Sequence, residues 1–357
     1  MAILRVDYPS AWPDVFPILL GTLPNGPVSI DLFLRVLNAL NDEVVVNEEG
    51  NGYDSDVAAR VKDGMRERCL PQLVEAWLSI LQLHDSAPAL SAMCLHTVAL
   101  YVPWIPIGLV ANASWLATIT PFLRTPALHD GACAVLIEMV LKRMDAQPKL
   151  EHLQAVRIVP LLTEGVQLGV GVTAKLSALV SALCMEVLDV WDRLASVPAL
   201  SAQATDMLSH AFPLLLQCFA SDEMDISQST LAFLHTYIGR LRKLLPSPKE
   251  LATQEPHLQH LLLTLGRKSV YPADHDFERP DEDEEAFGAY RRELSTLFKN
   301  IARVHAGLAQ EFVRSTLGPT LESLTSVPWT HLEVALWLLY TLGEGLPEQK
   351  MLEKDGE

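Results

Sequence analysis

The sequence predicts an all-α fold, a HEAT-repeat (armadillo-like) right-handed superhelical solenoid of about seven helical hairpins. Hydrophobic residues make up 49% of the 357 positions but aromatic residues only 7%, and Leu and Ala dominate without the residue alternation that marks strands. Helix-length apolar patterns recur in pairs about 40 to 50 residues apart, which is the HEAT and armadillo period. Because such hairpins bury their apolar faces only by stacking on neighbours, a solenoid follows.

Short turns, often containing proline, separate the two helices of each predicted pair. Prolines within or near the first helices, at positions 71, 121, 160 and 213, fit the kinked first helix of a HEAT repeat. No low-complexity linker divides the array, so we expect one solenoid segment over residues 1–357, with acidic loop insertions at 41–56 and 271–285. The predicted pairs are 9–20 with 29–46, 63–83 with 88–101, 112–124 with 126–144, 148–168 with 173–196, 201–220 with 224–246, 251–268 with 284–304, and 305–324 with 329–346.

The net charge of −17 is concentrated in three short stretches. Residues 274–285 carry −7, residues 41–56 carry −6 and residues 344–357 carry −3, which leaves the rest of the chain close to neutral. A uniformly acidic surface would argue against a nucleic-acid partner. Because the acidity here is local, an anionic partner is not excluded.

Motifs that would indicate catalysis are absent from the sequence, which contains no HExxH, P-loop or GxSxG pattern. LGVGVTAK (168–175) lacks the Gly-Lys-Ser/Thr ending of a phosphate loop and is interpreted as a loop between helices. His257 and His260 form an HxxH pair without further metal ligands nearby, and the acidic stretch lacks the spacing of a calcium loop. We therefore expect no enzymatic activity, no metal site and no cofactor.

An uncharged stretch, residues 97–123, is long enough to span a bilayer. Its prolines at 103, 106 and 121 would break a membrane helix, so we expect buried soluble helices and no membrane insertion. The cysteines occur singly, without CxxC spacing, and predict free, buried thiols in a reducing compartment. They are Cys69, Cys94, Cys133, Cys184 and Cys218.

The helix predicted after the acidic stretch has two distinct faces. Arg292, Lys299 and Arg303 share one face, because offsets of 7 and 11 residues return to nearly the same azimuth. Such a cationic stripe is either a phosphate-binding surface or an ordinary solvated face, and the same alternatives hold for two other basic groups. The apolar stripe comprises Phe287, Tyr290, Leu294, Leu297, Ile301 and Val304, and the other basic groups are Arg240, Arg242 and Lys243, and Lys142 with Arg143.

Several segments, in this order along almost the whole chain, resemble the exportin-T family of importin-β-type karyopherins. The second matches Asp-x-Met-Arg-Glu-x-Cys-x-Pro-x-Leu-Val-Glu-x-Trp at every specified position, and the first contains the Tyr-Pro-x-x-Trp signature. The segments are YPSAWPDVFPILL (8–20), DGMRERCLPQLVEAWLSIL (63–81), VALYVPWIPIGLVAN (98–112), ACAVLIEMVLKRMD (132–145), EEAFGAYRREL (284–294) and HLEVALWLLYTLGEGLP (331–347).

The resemblance implies a nuclear export receptor that binds tRNA cooperatively with Ran·GTP and carries it to the cytoplasm. It also implies contact with nuclear pore proteins and shuttling between nucleus and cytoplasm. The chain resembles an N-terminal-to-middle portion of the family. A HEAT-repeat scaffold that binds only proteins remains the alternative, because the acidic charge suits it.

The dense acidic segment is expected not to pack, because its carboxylates repel one another and are costly to bury unpaired. Two roles are open for it. It could contact a basic patch on Ran·GTP, or it could fold back over the basic residues as a gate until Ran displaces it. The candidate residues are Asp281, Glu282, Asp283, Glu284 and Glu285.

Overall fold

A computed structural model describes most of the chain, and every regular element in the described part is helical. The predicted all-α class is confirmed. The chain divides into two compact units, Met1–Gly171 and Val172–Glu357. The described residues are 2–45, 52–167, 171–245, 248–278, 281–323 and 326–346.

The first unit contains ten α-helices in its described part. Proline occupies the first helical position of α3, α6 and α8, where its preset φ favours a helix start and its missing N–H costs no hydrogen bond. The helices are α1 (Ala2–Asp7), α2 (Val15–Thr22), α3 (Pro27–Leu40), α4 (Gly52–Arg68), α5 (Leu70–Leu81), α6 (Pro88–Tyr101), α7 (Ala113–Ile119), α8 (Pro126–Leu141), α9 (Ala146–Val156) and α10 (Ile158–Gln167).

The core of this unit forms where α6 packs against α3, α5 and α8. Tyr101, at the end of α6, is fully buried; its hydroxyl donates to the Leu37 carbonyl of α3 at 2.9 Å, and its ring meets the edge of Trp77 on α5. Tyr101 thus connects α3, α5 and α6, and its buried hydroxyl has a hydrogen-bond partner. The uncharged stretch 97–123 belongs to this packing, and no helix in the described ranges is both long and apolar enough to cross a membrane.

Two of the predicted long helices are each split in two. Cys69 separates α4 from α5, and Arg157, in the left-handed conformation (φ 53°), separates α9 from α10. Pro71 and Pro160 lie in the first turn of the following helix, where no intrahelical N–H is required. These two prolines therefore start new helices instead of kinking continuous ones, whereas Pro213 lies inside a helix as predicted.

The second unit contains nine α-helices in its described part. Its longest hairpin is α11 with α12, and α17 packs against α14, α18 and α19. Of the loop predicted at 168–175, residues 168–170 lie outside the described part, and Thr173 caps α11 by accepting from the Leu176 N–H. The helices are α11 (Ala174–Arg193), α12 (Pro198–Phe219), α13 (Met224–Gln228), α14 (Leu231–Lys243), α15 (Pro248–Thr253), α16 (Glu255–Lys268), α17 (Glu282–Val304), α18 (Ala306–Glu322) and α19 (Trp329–Gly345).

Both acidic insertions are more helical than the sequence predicts. Residues Asn41–Val45 form a π-helical turn at the end of α3, and α4 already starts at Gly52; residues 46–51 lie outside the described part. Glu282–Glu285 form the first turn of α17 and do not belong to a loop. The predicted apolar stripe of α17 is buried except for Phe287, which is half-buried.

All five cysteines are free and buried, as predicted. Burial raises the pKa of the Cys69 and Cys218 thiols to about 11. These side chains therefore remain neutral thiols and act as small core residues.

The two histidines of the HxxH pattern lie in different environments, since His257 is half-buried and His260 is exposed. His257 stacks on Phe212 with ring centroids 4.3 Å apart, and its Nδ1 lies 3.1 Å from the Tyr237 hydroxyl. Because that hydroxyl donates to the Gln254 amide oxygen, Nδ1–H of His257 must be the donor to Tyr237. Burial, with a smaller contribution from His260, lowers the pKa of His257 to about 4.

Protonation of His257 should make unfolding easier in acid. The pKa of this side chain rises from about 4 in the folded chain to its ordinary value of 6.5 when unfolded, so only the unfolded chain gains the proton between these values. The contribution of His257 to the free energy of unfolding is therefore fully present above pH 6.5 and decreases as the pH falls toward 4. After discounting for partial exposure, we expect this histidine to remove about 2 kcal/mol between pH 7 and 4.5.

Urea unfolding of the chain and of His257→Gln at both pH values measures this contribution. The variant should lose less stability on acidification than the parent, whereas His260→Gln, which changes the exposed neighbour, should behave like the parent. Equal losses in the parent and His257→Gln would contradict the assignment.

Candidate functional site

Lys142, one of the predicted RNA-binding residues, makes structural hydrogen bonds within the protein. Its Nζ donates to the carbonyl oxygens of Val102, Pro103 and Ile105 at 2.9, 2.8 and 2.8 Å. These carbonyls follow the end of α6, where no helical N–H groups continue to satisfy them. An ammonium has three hydrogens, so Lys142 has none left for a phosphate. Burial and nearby Arg66 lower the pKa of Lys142.

Arg66 completes the same turn from α4. Its Nη2 donates to the Trp104 carbonyl at 2.8 Å, and its guanidinium carbon lies 5.6 Å from the centroid of the Trp104 ring. Four consecutive carbonyls after α6 are therefore held by two cations from other helices. Arg143, next to Lys142, is exposed and contributes nothing to this turn.

The second predicted group is organised around one carboxylate, that of Asp192 at the end of α11. Lys243 Nζ lies 3.0 Å from Asp192 Oδ2, and Arg240 Nε lies 3.1 Å from Asp192 Oδ1. The Arg240 guanidinium lies 4.7 Å from the centroid of the Trp191 ring and is largely buried. Arg242 is exposed and is not among the cations that contact Asp192 in the described part of the chain. The structure thus joins two of the three predicted residues and separates the third.

The predicted cationic stripe of α17 is divided between solvent and a neighbouring helix. Lys299 is paired with Glu344 of α19 at 3.4 Å. Arg303 is exposed and donates to the Asn300 side chain, and Arg292 is exposed beside the acidic segment. Arg292 and Arg303 therefore remain accessible to an external anion.

The acidic segment is ordered by hydrogen bonds at the start of α17, while its carboxylates other than Glu284 are exposed, as expected for groups that are costly to bury. Glu284 accepts from the Asp281 N–H at 2.9 Å and from the Asp276 N–H at 2.6 Å, while the Asp281 side chain accepts from the Glu284 N–H at 2.9 Å. This capping box satisfies N–H groups that a helix start leaves unpaired, and acidic residues there are favoured by the helix dipole. Arg279 lies outside the described part.

Three of the five predicted carboxylates remain free to act on a partner. Glu282, Asp283 and Glu285 are exposed on the first turn of α17. Their positions are fixed because the capping box holds the backbone that carries them. Arg292 lines a shallow cavity of about 410 Å³ with residues of this segment, including Glu284 and Glu285.

Sequence reasoning missed Arg291, the buried cation that anchors this region. Its guanidinium carbon lies 4.0 Å from the Tyr271 ring centroid and 4.7 Å from that of Trp337, and Nη2 contacts both Glu333 oxygens at 2.9 and 2.6 Å. The signal was present, because position 291 follows Phe287 by four residues and falls on the apolar face of α17. A cation at such a position indicates a buried partner.

Among the described residues, no group of His, Cys, Asp and Glu is arranged to hold a metal ion. His275 is nearly buried next to Glu284, at 3.7 Å, within an aromatic cluster that also contains Tyr271 and Phe277. The described part of this region therefore offers charged and aromatic side chains for binding and no cluster of metal ligands.

Comparison with known proteins identifies similarity along the whole chain. Residues 1–136 match the family model described as Exportin 1-like protein, and residues 198–357 match the family model described as Exportin-T. The chain is 33% identical to an Exportin-T of Arabidopsis thaliana over 99% of its own length and 37% of that protein. It is 30% identical to the Exportin-T proteins of Danio rerio and Mus musculus, over 96% of its length and 36% of theirs. It thus spans little more than a third of these relatives.

Replacing Lys142 by Met should destabilise the first unit, whereas replacing the adjacent Arg143 by Met should not. Methionine keeps the apolar stem but removes three charge-assisted hydrogen bonds, so we expect a loss of about 2 to 3 kcal/mol in the free energy of unfolding. The exposed Arg143 should contribute less than about 0.5 kcal/mol. Urea unfolding of both variants measures the difference, and similar losses would show that Lys142 does not hold the turn.

Proposed function

Because this chain is homologous to exportin-T proteins along 96–99% of its length, we propose that it acts in nuclear export as a receptor that binds tRNA cooperatively with Ran·GTP. That homology is the observation that carries the proposal. In this function the chain contacts nuclear pore proteins, shuttles between nucleus and cytoplasm, and releases both ligands on GTP hydrolysis. It is binding and not catalysis, since proteins recognise structured RNA through its shape and backbone.

The distribution of charge supports an RNA ligand despite the acidic total. Four of the five predicted arginines are exposed on the described surface, namely Arg143, Arg242, Arg292 and Arg303. Arginine contacts to phosphates release counterions and give affinity without reading sequence. Lys142 and Lys299 are already paired within the protein, so we assign them to the fold that presents these arginines.

The exposed carboxylates of the acidic segment fit a contact with Ran better than a gate over the RNA site. Folding the segment back would break the hydrogen bonds that Asp281 and Glu284 make at the start of α17. Presenting Glu282, Asp283 and Glu285 to a basic patch requires no such change. We therefore assign these three residues to Ran·GTP.

A protein-only scaffold is the second candidate function, and the net charge of −17 is the observation that favours it. It predicts no affinity for tRNA under any nucleotide state of Ran. The two functions are therefore separated by one binding measurement.

Fluorescence anisotropy of labelled tRNA, titrated with the chain, tests the proposal. Ran loaded with a non-hydrolysable GTP analogue should strengthen tRNA binding about tenfold relative to Ran·GDP, a typical coupling between two ligands. Exchanging Arg292 and Arg303 for Glu should weaken binding and reduce the slope of log K against log salt by about two units.

The matched control is Arg314→Glu, an exposed arginine on α18 that is already paired with Glu311. It should leave the slope unchanged. No tRNA binding with either form of Ran would overturn the proposal and favour the scaffold.

Changing Glu282, Asp283 and Glu285 together to Gln should weaken Ran·GTP binding while leaving the affinity for tRNA alone unchanged. The three side chains are exposed, so folding should change little. Surface plasmon resonance with immobilised Ran·GTP measures the first quantity and anisotropy the second. Tighter tRNA binding in the absence of Ran would instead identify the segment as a gate.

A further inference from the structure

Asp192 is shared by two cations from α14, which leaves an excess of positive charge around it. Its two oxygens contact Arg240 and Lys243 separately, at 3.1 and 3.0 Å. One carboxylate therefore balances only one of these two cations.

Arg240 is buried without using its full hydrogen-bonding capacity. Its side chain is only 9% exposed, and its Nε–H is not directed at Asp192, so the contact is an ion pair without a hydrogen bond. No hydrogen bond of either Nη atom is found among the described residues, and unlike Nε these atoms are not enclosed by the protein. A buried guanidinium is costly unless its donors are satisfied. These donors are available to an anion that brings more oxygen atoms than one carboxylate.

A cavity of about 550 Å³ adjoins Arg240 and has a mixed lining of polar and apolar side chains. Ser201, on the first turns of α12, lines it, and its hydroxyl has no partner in the described part of the chain. Thr205 and the Gln254 amide also line the cavity. The carboxylate in the lining, Asp206, is exposed and lies 3.6 Å from the His210 ring. The cavity can therefore admit an anionic group at its Arg240 side.

We propose that Arg240, Lys243 and this cavity form a phosphate-binding subsite that Asp192 occupies when no ligand is bound. Phosphate offers three or four oxygens in place of the two of Asp192 and matches the arginine fork better than a single carboxylate oxygen. A ligand phosphate displaces Asp192 from both cations and accepts from the Nη donors and the Ser201 hydroxyl. The cost of displacing Asp192 lowers affinity for isolated phosphates and favours ligands with several phosphate contacts.

The phosphate chemistry is shared by an RNA backbone and by free polyphosphates, and its assignment to RNA rests on the proposed function. The two sources are separated by using two probes on the full chain. Sodium tripolyphosphate, measured by isothermal titration calorimetry, reports on the subsite alone. Labelled tRNA, measured by anisotropy with Ran in its GTP form, reports on the subsite as part of an RNA interface.

The deciding variant is Asp192→Asn, matched with Asp189→Asn one turn earlier on α11. Both remove one negative charge, but within the described ranges Asp189 pairs only with the exposed Arg193. We expect Asp192→Asn to bind tripolyphosphate about fivefold more tightly than the parent, because the substitution releases two cations from partly exposed ion pairs. Asp189→Asn should change the affinity by less than about twofold. Adding Lys243→Gln to Asp192→Asn should remove most of the gain.

Since Asp192→Asn could disturb the buried Arg240, a second pair of variants tests the subsite from the surface. Lys243 is 63% exposed, so Lys243→Gln should fold normally and bind tripolyphosphate more weakly than the parent. Lys175→Gln, which changes an exposed lysine elsewhere on α11, should have no such effect. Urea unfolding confirms that each variant is folded before binding is measured.

The outcomes distinguish this subsite from the proposed function. If Asp192→Asn and Asp189→Asn bind tripolyphosphate equally, and Lys243→Gln matches Lys175→Gln, the subsite is overturned even if the parent binds tRNA. If tripolyphosphate responds as expected but the chain binds no tRNA, the subsite stands and the RNA function is overturned. A response with tripolyphosphate but an unchanged tRNA affinity upholds the subsite and overturns its assignment to RNA.

Discussion

Burying a guanidinium costs several kcal/mol unless it is paired, and the second unit buries that of Arg291 between two aromatic rings. Glu333 supplies the charge and both acceptor oxygens, while Tyr271 and Trp337 cover the faces of the fork. The partners come from α19 and from the segment before α17, so this contact fixes three pieces of the chain together. The same segment supplies the Asp276 N–H that donates to Glu284 of the capping box at the start of α17. The exposed carboxylates beyond it thereby acquire a fixed position.

Several lysine side chains in this fold donate hydrogen bonds to backbone carbonyls at or just after helix C-termini. Lys268 donates to the Ser221 carbonyl at the end of the α12 region, and Lys149 donates to the Val140 carbonyl near the end of α8, in the manner of Lys142 after α6. Carbonyls at a helix C-terminus lack N–H partners, and a lysine from a neighbouring helix satisfies them and complements the dipole. Counting lysines therefore overestimates the charge available to an RNA. The exposed arginines, not the lysines, carry most of the proposed interface.

The features that could be predicted from the sequence are those encoded locally. The apolar stripe of α17 follows from residue spacing alone, and Asp281-x-x-Glu284 already shows the pattern of a capping box, which would have placed the helix start correctly. The pairing of the basic residues could not be predicted in the same way. Lys299 meets Glu344 and Lys243 meets Asp192 across 45 and 51 positions of sequence. Nothing local distinguishes such a cation from Arg303, which is exposed and contacts only a nearby amide in the described part of the chain.

The turn after α6 shows what such long-range pairing means for folding. Its carbonyls are held by a lysine 37 to 40 positions later in the chain, so the local segment, which contains Pro103 and Pro106, does not satisfy these carbonyls by itself. The entropy of closing that loop is lost before the three hydrogen bonds are gained. The turn and the contact with the end of α8 are therefore expected to form together and to be lost together. The contact between α6 and α8 is therefore expected to open as a whole and not in part.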